Sequence, residues 1–420
     1  MYRRKRIRGL WESRGKPLPG LVFILNRLPE FACYTRASPD EPTMRAAAAT
    51  APVAQAQSTG NSWTTEPCVL ELASIVALTG IIFVAFIGLF QNYLAKIDDF
   101  ADSASYMQIA AAIQHWDFRG LAIGHFWGLP YLMALLSKIT GASERASLLI
   151  ISVGSSLASV ILARRLWGGW IAGLFAVLSL DWIQRSFLGG SEPLFVALLF
   201  ASFLAVRRDH WLLAALLAAL ATVCRPLGVF ALLAIGAMLL WQRKYLKCAT
   251  ATVIGAVIGL AYAWPIGHYF GSPLANVHGY DPKGNIFGIP FYAIIQGTML
   301  YPASWTNLIL SFGWILFITL GAIAMIAREE YRAYARRFPV ESIFATLYMI
   351  SIYCYNYPSW ARGSFARFMI PALPFVLVAL MRWIPKDRRL LWACAIIMPV
   401  LAAASAIGVQ HVVLAIRRIL

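Results

Sequence analysis

Residues 70–91, LELASIVALTGIIFVAFIGLFQ, carry a single charged side chain, Glu71. As a helix rising ~1.5 Å per residue the run reaches across the ~30 Å hydrocarbon layer of a bilayer. Nothing in it alternates with period two, so a strand is excluded. Working outward, similar apolar runs lie near 146–163, 170–187, 190–206, 210–224, 226–242, 248–268, 307–327, 341–357, 367–383 and 390–412. The sequence therefore predicts an all-α, polytopic membrane protein of about 11 transmembrane helices. Composition agrees: of 420 residues 60% are hydrophobic and 13% charged, against roughly 25% charged in soluble chains. An ordinary soluble enzyme and a disordered chain are both excluded. The cysteines at 33, 68, 224, 248, 354 and 394 show no CxxC spacing, so neither a zinc site nor a disulfide framework is implied.

A net charge of +17 first suggests nucleic acid, but the cations punctuate the apolar runs. With the N-terminus inside, Arg164/Arg165, Arg207/Arg208, Arg243/Lys244/Lys247, Arg328/Arg332/Arg336/Arg337 and Arg382/Lys386/Arg388/Arg389 all fall on the cytoplasmic side, the positive-inside bias. The expected partner is the lipid bilayer, with no nucleic acid. Arg417 and Arg418 fall outside in this scheme, so either the count is off by one or the last helix does not cross. Residues 1–67, rich in Arg, Ala, Pro and Ser with no apolar period, read as a disordered basic cytoplasmic tail ahead of a membrane-embedded domain over 68–420. No apolar core and cleavage site follow its basic start, so it is not a signal peptide, and Met44 is an alternative start to Met1.

Two outer loops are long, 92–145 and 269–306, and long connections tend to carry function. In the first, SASYMQIAAAI places Tyr106, Ile109, Ala110 and Ile113 on one helical face and PYLMALLSKI reads as a second short helix. Both suit helices lying at the outer interface. Asp98, Asp99 and Asp102 stand at the entry to the first helix. Were it to begin a turn early, Asp98 and Asp102 would share a face at i, i+4.

The run DSASYMQIAAAIQ (102–114), GLPYLMALL (128–136), GGSEPLFVALL (189–199), TVCRPLGVF (222–230) and RFMIPALPF (367–375), in this order along one topology, resembles the GT-C superfamily of polyprenyl-phosphate-sugar glycosyltransferases. Its bacterial members act on protein, lipid A or polysaccharide, and the resemblance extends over most of 70–385. It implies a GT-C-like fold and transfer of a sugar from a polyprenyl-phosphate donor to a glycan, lipid or protein acceptor. The expected setting is a multi-pass inner (cytoplasmic) membrane protein whose active site faces the periplasm or exterior. A phosphate leaves without a proton, so one base on the acceptor suffices, and direct displacement inverts the anomeric centre. By resemblance Asp102 is that base; its other reading is an N-cap for the helix starting at Ser103. Asp99 and Tyr106 join it as substrate-binding candidates.

Ionisable groups near lipid are functional candidates by default. Asp181, Arg185, Glu192 and Arg225 lie toward the outer ends of short spans. Glu192 matches the family's acidic residue at this turn, or starts the next helix as a cap pair with Ser191. Arg225 suits a lipid phosphate, or neutralises Glu192 or Asp181. Arg367, beside Arg362, has the phosphate reading by resemblance and a snorkelling alternative. His115, His125, His268 and His278 face the outer side without a metal-binding pattern. A divalent ion is the one cofactor the resemblance admits, with His278 near Asp281 as a candidate substrate- or ion-binding position in a loop read as a lid. Leu129 stands where some lipid A-modifying relatives have lysine, which puts their donor preference in doubt here. The competing function is a transporter or flippase of a lipid-linked sugar, which would be expected to show paired, repeated broken helices.

Overall fold

The computed structural model describes residues 65–100, 102–118, 121, 124–276, 286–300 and 305–408. The predicted tail over 1–67 lies almost wholly outside them, as do Arg417 and Arg418. Among the described residues the chain is helical, its one extended pairing being a bridge between Phe287 and Tyr355. The helices are α1 (Val69–Phe90), α2 (Tyr93–Asp99), α3 (Ser103–His115), α4 (Gly128–Thr140), α5 (Glu144–Trp167), α6 (Gly169–Leu178), α7 (Leu180–Phe187), α8 (Glu192–Arg207), α9 (Trp211–Cys224), α10 (Val229–Trp241) and α11 (Tyr245–Phe270). They continue as α12 (Tyr292–Leu300), α13 (Trp305–Ala327), α14 (Glu329–Arg337), α15 (Pro339–Tyr353), α16 (Pro358–Gly363), α17 (Phe365–Phe368), α18 (Leu373–Leu380) and α19 (Arg388–Ile407).

Helix stands at each of the eleven predicted spans, but not always as one rod. Four helices, α1, α5, α11 and α19, are long and apolar enough to cross a membrane alone. The run 170–187 divides at Ser179, whose extended backbone ends α6 and whose hydroxyl accepts from the Trp182 amide to start α7. The run 367–383 opens with a 3-10 turn over Ile370–Ala372, where Pro371 and Pro374 remove backbone donors. Short α7 and α8 meet at 105°, and α13 meets α14 at 75°. Large apolar side chains face outward, Trp241, Leu246 and Ile326 among them at 79–85% exposure. Water would not support such a surface and lipid would; the chain is a multi-pass membrane protein.

The interior is aromatic. Phe175, Phe195, Phe200, Phe203, Phe344 and Phe375 are fully buried, joined by edge contacts such as Phe203 on Phe344 at 5.3 Å. Serines on opposite faces of α5 tie that helix to two neighbours: Ser147 shares a hydrogen bond with Ser137 of α4 at 2.8 Å, and Ser156 accepts from Ser186 of α7 at 2.9 Å. Such bonds hold helices together where lipid supplies no hydrophobic drive. Gly128 brings the start of α4 against the end of α9, where a Cβ would sit 2.7 Å from the Cys224 amide nitrogen. The starts of α3, α4 and α8 and the ends of α7 and α9 gather at one end of the bundle.

At the other end Glu341 of α15 takes both forks of Arg207 from α8, at 2.6 and 2.8 Å. Arg207 also donates to the Leu166 carbonyl at 2.6 Å and lies 3.7 Å over the Phe338 ring. Tyr334 donates to Glu341 and accepts from Trp167 at 2.7 Å. Arg207, one of the cations that the sequence places on the cytoplasmic side, is thus held in a satisfied, largely buried ion pair.

Candidate active site

The turn 188–191 is the frame of the site. Gly189 has φ of +96°, a left-handed backbone that a side chain would strain, and a Cβ there would also meet Leu148 at 2.6 Å. Ser103 donates to the carbonyls of Leu188 and Gly189 at 2.9 and 3.2 Å. Ser152 accepts from the Gly190 amide at 3.3 Å and donates to its carbonyl at 3.4 Å. Two hydroxyls from different helices thus satisfy a buried, irregular stretch of backbone, as buried polar groups require. Because Ser103 follows Asp102 and Glu192 follows Ser191, the same bonds set the distance between the two carboxylates.

Asp102 occupies the N-cap position of α3 but makes no capping hydrogen bond. Its carboxylate instead accepts from Arg185 of α7 at 3.2 Å and from Arg367 of α17. Arg367 bridges onward to Glu192, which also pairs with Arg225 at 2.5 Å. Ser191, likewise without a capping bond, accepts from Tyr106 at 3.0 Å and from Arg225 at 3.4 Å. The five charged side chains are at most 16% exposed. Three guanidiniums meet two carboxylates in direct contact, and Asp181 of α7, whose charge acts on Arg185, Arg367 and Glu192, adds a third acid to the cluster, in a site where burial strengthens each interaction. Arg185 lies 4.5 Å over the Phe100 ring, and Tyr348 donates to the Phe368 carbonyl at 2.7 Å, which fixes the segment bearing Arg367.

Burial alone would raise the Asp102 carboxyl; Arg367 and Arg185 more than offset it and hold it below the ordinary carboxylate value. His125, in the segment before α4, has its ring edge-on to Tyr106 at 5.4 Å. Burial holds its imidazole below the usual value; Arg367, Arg185 and Arg225 push the same way and Asp102 opposes them. One oxygen of Glu192 and Nε of Arg185 are buried with no hydrogen-bond partner among the described residues.

The structure therefore gathers Asp102, Tyr106, Arg185, Glu192, Arg225 and Arg367, which the sequence singled out from four separate stretches. It sets others apart. Asp99 is exposed at the end of α2. Asp98 does not share a face with Asp102, because the helix breaks at Phe100; it pairs with Arg145 of α5. His278 and Asp281 lie outside the described residues. Among the described residues no three His, Cys, Asp or Glu side chains come together as a metal site would need. Ser103, Ser152 and Gly189 escaped the sequence reading, though the GGSEP run signals a tight turn.

No family model matches the sequence, and no curated protein matches it. Among solved structures the chain is similar to ArnT from Cupriavidus metallidurans bound to undecaprenyl phosphate, with a TM-score of 0.48 and 14% identity over 76% of this chain. It spans 62% of that chain's length. At this level the likeness assigns no role to any residue.

Proposed function

We propose that this protein is a membrane glycosyltransferase of the GT-C type, moving a sugar from a polyprenyl phosphate to an acceptor hydroxyl on the extracytoplasmic side of an inner membrane. The observation that carries the reading is the buried cluster in which Arg185, Arg225 and Arg367 converge on Asp102 and Glu192. A guanidinium fork matches phosphate oxygens in two-point contact, and three such forks in one buried cluster suit an anionic headgroup beside apolar helices. Arg367 and Arg225 would take the donor phosphate. As Arg367 turns to it, Asp102 gains freedom to accept a proton. The acceptor oxygen attacks the anomeric carbon, the bond from that carbon to the phosphate oxygen breaks with its electron pair leaving on phosphate, and the hydroxyl proton passes to Asp102. One displacement inverts the centre. Tyr106, which donates to Ser191 beside Glu192, is proposed to contact substrate next to this core.

The flippase reading calls for matching broken helices in two halves. The bend between α7 and α8 carries the ion cluster, whereas that between α13 and α14 carries exposed Arg332 and Arg336, so the two breaks are not equivalent. The deciding experiment incubates purified protein with a panel of polyprenyl-phosphate sugars and acceptors, comparing wild type with Asp102→Asn. Transfer by wild type and loss in Asp102→Asn are expected. Full transfer by Asp102→Asn removes Asp102 as base, and failure to turn over any lipid-linked donor removes the enzyme reading.

A further inference from the structure

A proton accepted by Asp102 has to leave again before the next turnover, because the resting carboxylate is the partner of two arginines. Proton-accepting groups near Asp102 are few. His115 closes α3 at its far end and His268 stacks on Trp264 at 5.7 Å, both away from the cluster. His125 is different. It lies against Tyr106, one turn of helix from Asp102, within range of the charges of Asp102, Arg367, Arg185 and Arg225, and is only partly buried, so solvent reaches it.

We propose that His125 receives the acceptor's proton from Asp102 and passes it to solvent, resetting the base after each transfer. This rests on the glycosyltransferase reading above and adds a residue to it. The groups facing His125 are Asp102 and Tyr106 from α3, Arg185 from α7, Arg225 from the turn after α9 and Arg367 from α17. Burial, joined by the surrounding cations, disfavours the imidazolium, so the imidazole stands ready to accept. A neutral imidazole is also a stronger base than a carboxylate held by two guanidiniums. The step balances: Asp102 loses the proton it took from the hydroxyl and returns to its charged form, His125 becomes imidazolium, and water removes the proton. His125 acts through Asp102 and is a positioning residue for protons, with no contact to the sugar required.

The test follows transfer by wild type and His125→Gln from about pH 5 to about pH 9, the window in which an imidazole titrates. Proton-transfer groups contribute ~10²–10⁴ in rate; one step removed, His125→Gln should lower kcat by ~10-fold with donor KM unchanged. It should also abolish the acid limb of the kcat profile, and added imidazole should restore part of the rate. Wild-type kcat and acid limb in His125→Gln, or a loss confined to donor KM, overturns the proposal. A measurement on folded protein with His125 intact guards against misfolding: the His125 ring proton titration by NMR should move to lower pH in Asp102→Asn, and an unmoved titration overturns the proposal as well. If wild type transfers no sugar from any donor, the glycosyltransferase reading fails and takes this inference with it. If wild type transfers and His125→Gln behaves as wild type, only this inference fails.

Discussion

The carboxylate of Asp102 is held by the guanidinium of Arg367, 265 positions further along the chain. The same guanidinium reaches Glu192 through its Nε, so one planar fork joins two acids that stand on separate helices. Lysine offers a point charge and cannot span both in this way. Arg367→Lys should therefore lower kcat/KM for a lipid-phosphate donor by at least ~10-fold, or ~1.4 kcal/mol. Steady-state kinetics in detergent or nanodiscs check this; a wild-type value would show that the bridge is dispensable.

Ser103 is predicted to matter through position alone. Ser103→Ala leaves the Leu188 and Gly189 carbonyls without their hydroxyl donor and should cost ~1–3 kcal/mol of stability, the cost of buried unsatisfied groups. The spacing of Asp102 from Glu192 loosens with it, so kcat should fall more than donor KM rises. Thermal unfolding and kinetics of the same preparation separate the two effects.

Gly189→Ala places a side chain where φ is +96° and Leu148 stands 2.6 Å from the new Cβ. Left-handed strain adds ~1–2 kcal/mol per residue, before any movement of Leu148. A clear drop in melting temperature together with weakened transfer is expected, and unchanged stability would show that the turn can relax.

The buried pair at the opposite end gives a control. Glu341→Gln leaves Arg207 without its charged partner, a loss of ~3–5 kcal/mol for broken buried pairs. Replacing both residues with leucine should recover much of that loss, since a buried pair and an apolar pair of similar size are often close in stability. Donor KM in the double variant should match wild type. A changed KM would tie this end of the bundle to the chemistry.

Acid titration supplies a sign. The folded Asp102 carboxyl lies below its ordinary value, so its contribution to stability is complete above the unfolded value, ~3.9, and disappears as pH falls through the lower folded one. The stability difference between wild type and Asp102→Asn should hold, or grow through the coupling of Asp102 to His125, as pH falls from neutrality, and shrink only below about pH 4. A difference already shrinking near neutrality would mean that the carboxylate is not held by its arginines.

The apolar runs were legible because lipid demands them: a span cannot hide its composition, and helix forms at all eleven. Their interruptions were less legible. Ser179 breaks one span without proline or glycine, by capping the helix that follows, a choice that depends on where Trp182 packs. The site was half legible. Asp102, Glu192, Arg225 and Arg367 drew attention as rare charges in apolar surroundings and as members of the motif order. Which acid meets which base depends on the 105° bend at residues 188–191, a long-range fact with no local signature. The Arg207–Glu341 pair was missed for a related reason. An arginine at the end of a span has a ready explanation in snorkelling, and only the acid in the first turn of α15, on a side crowded with cations, hinted at a partner.

The turn that frames the site also decides which of its walls can move. Its carbonyls are tied to Ser103 and Ser152 and its backbone is fixed by a left-handed glycine, so it offers no hinge. The facing wall is built differently: Arg367 rides on a four-residue helix between a short helix and a 3-10 turn, with Ser364 and Met369 at its ends. The backbone here is tied as well, by Tyr348 on the Phe368 carbonyl, so substrate that parts Asp102 from Arg367 acts on the long Arg367 side chain, whose rotamers can change, and leaves the carboxylate where it stands. The base is the stationary jaw of the site, and the arginine the moving one.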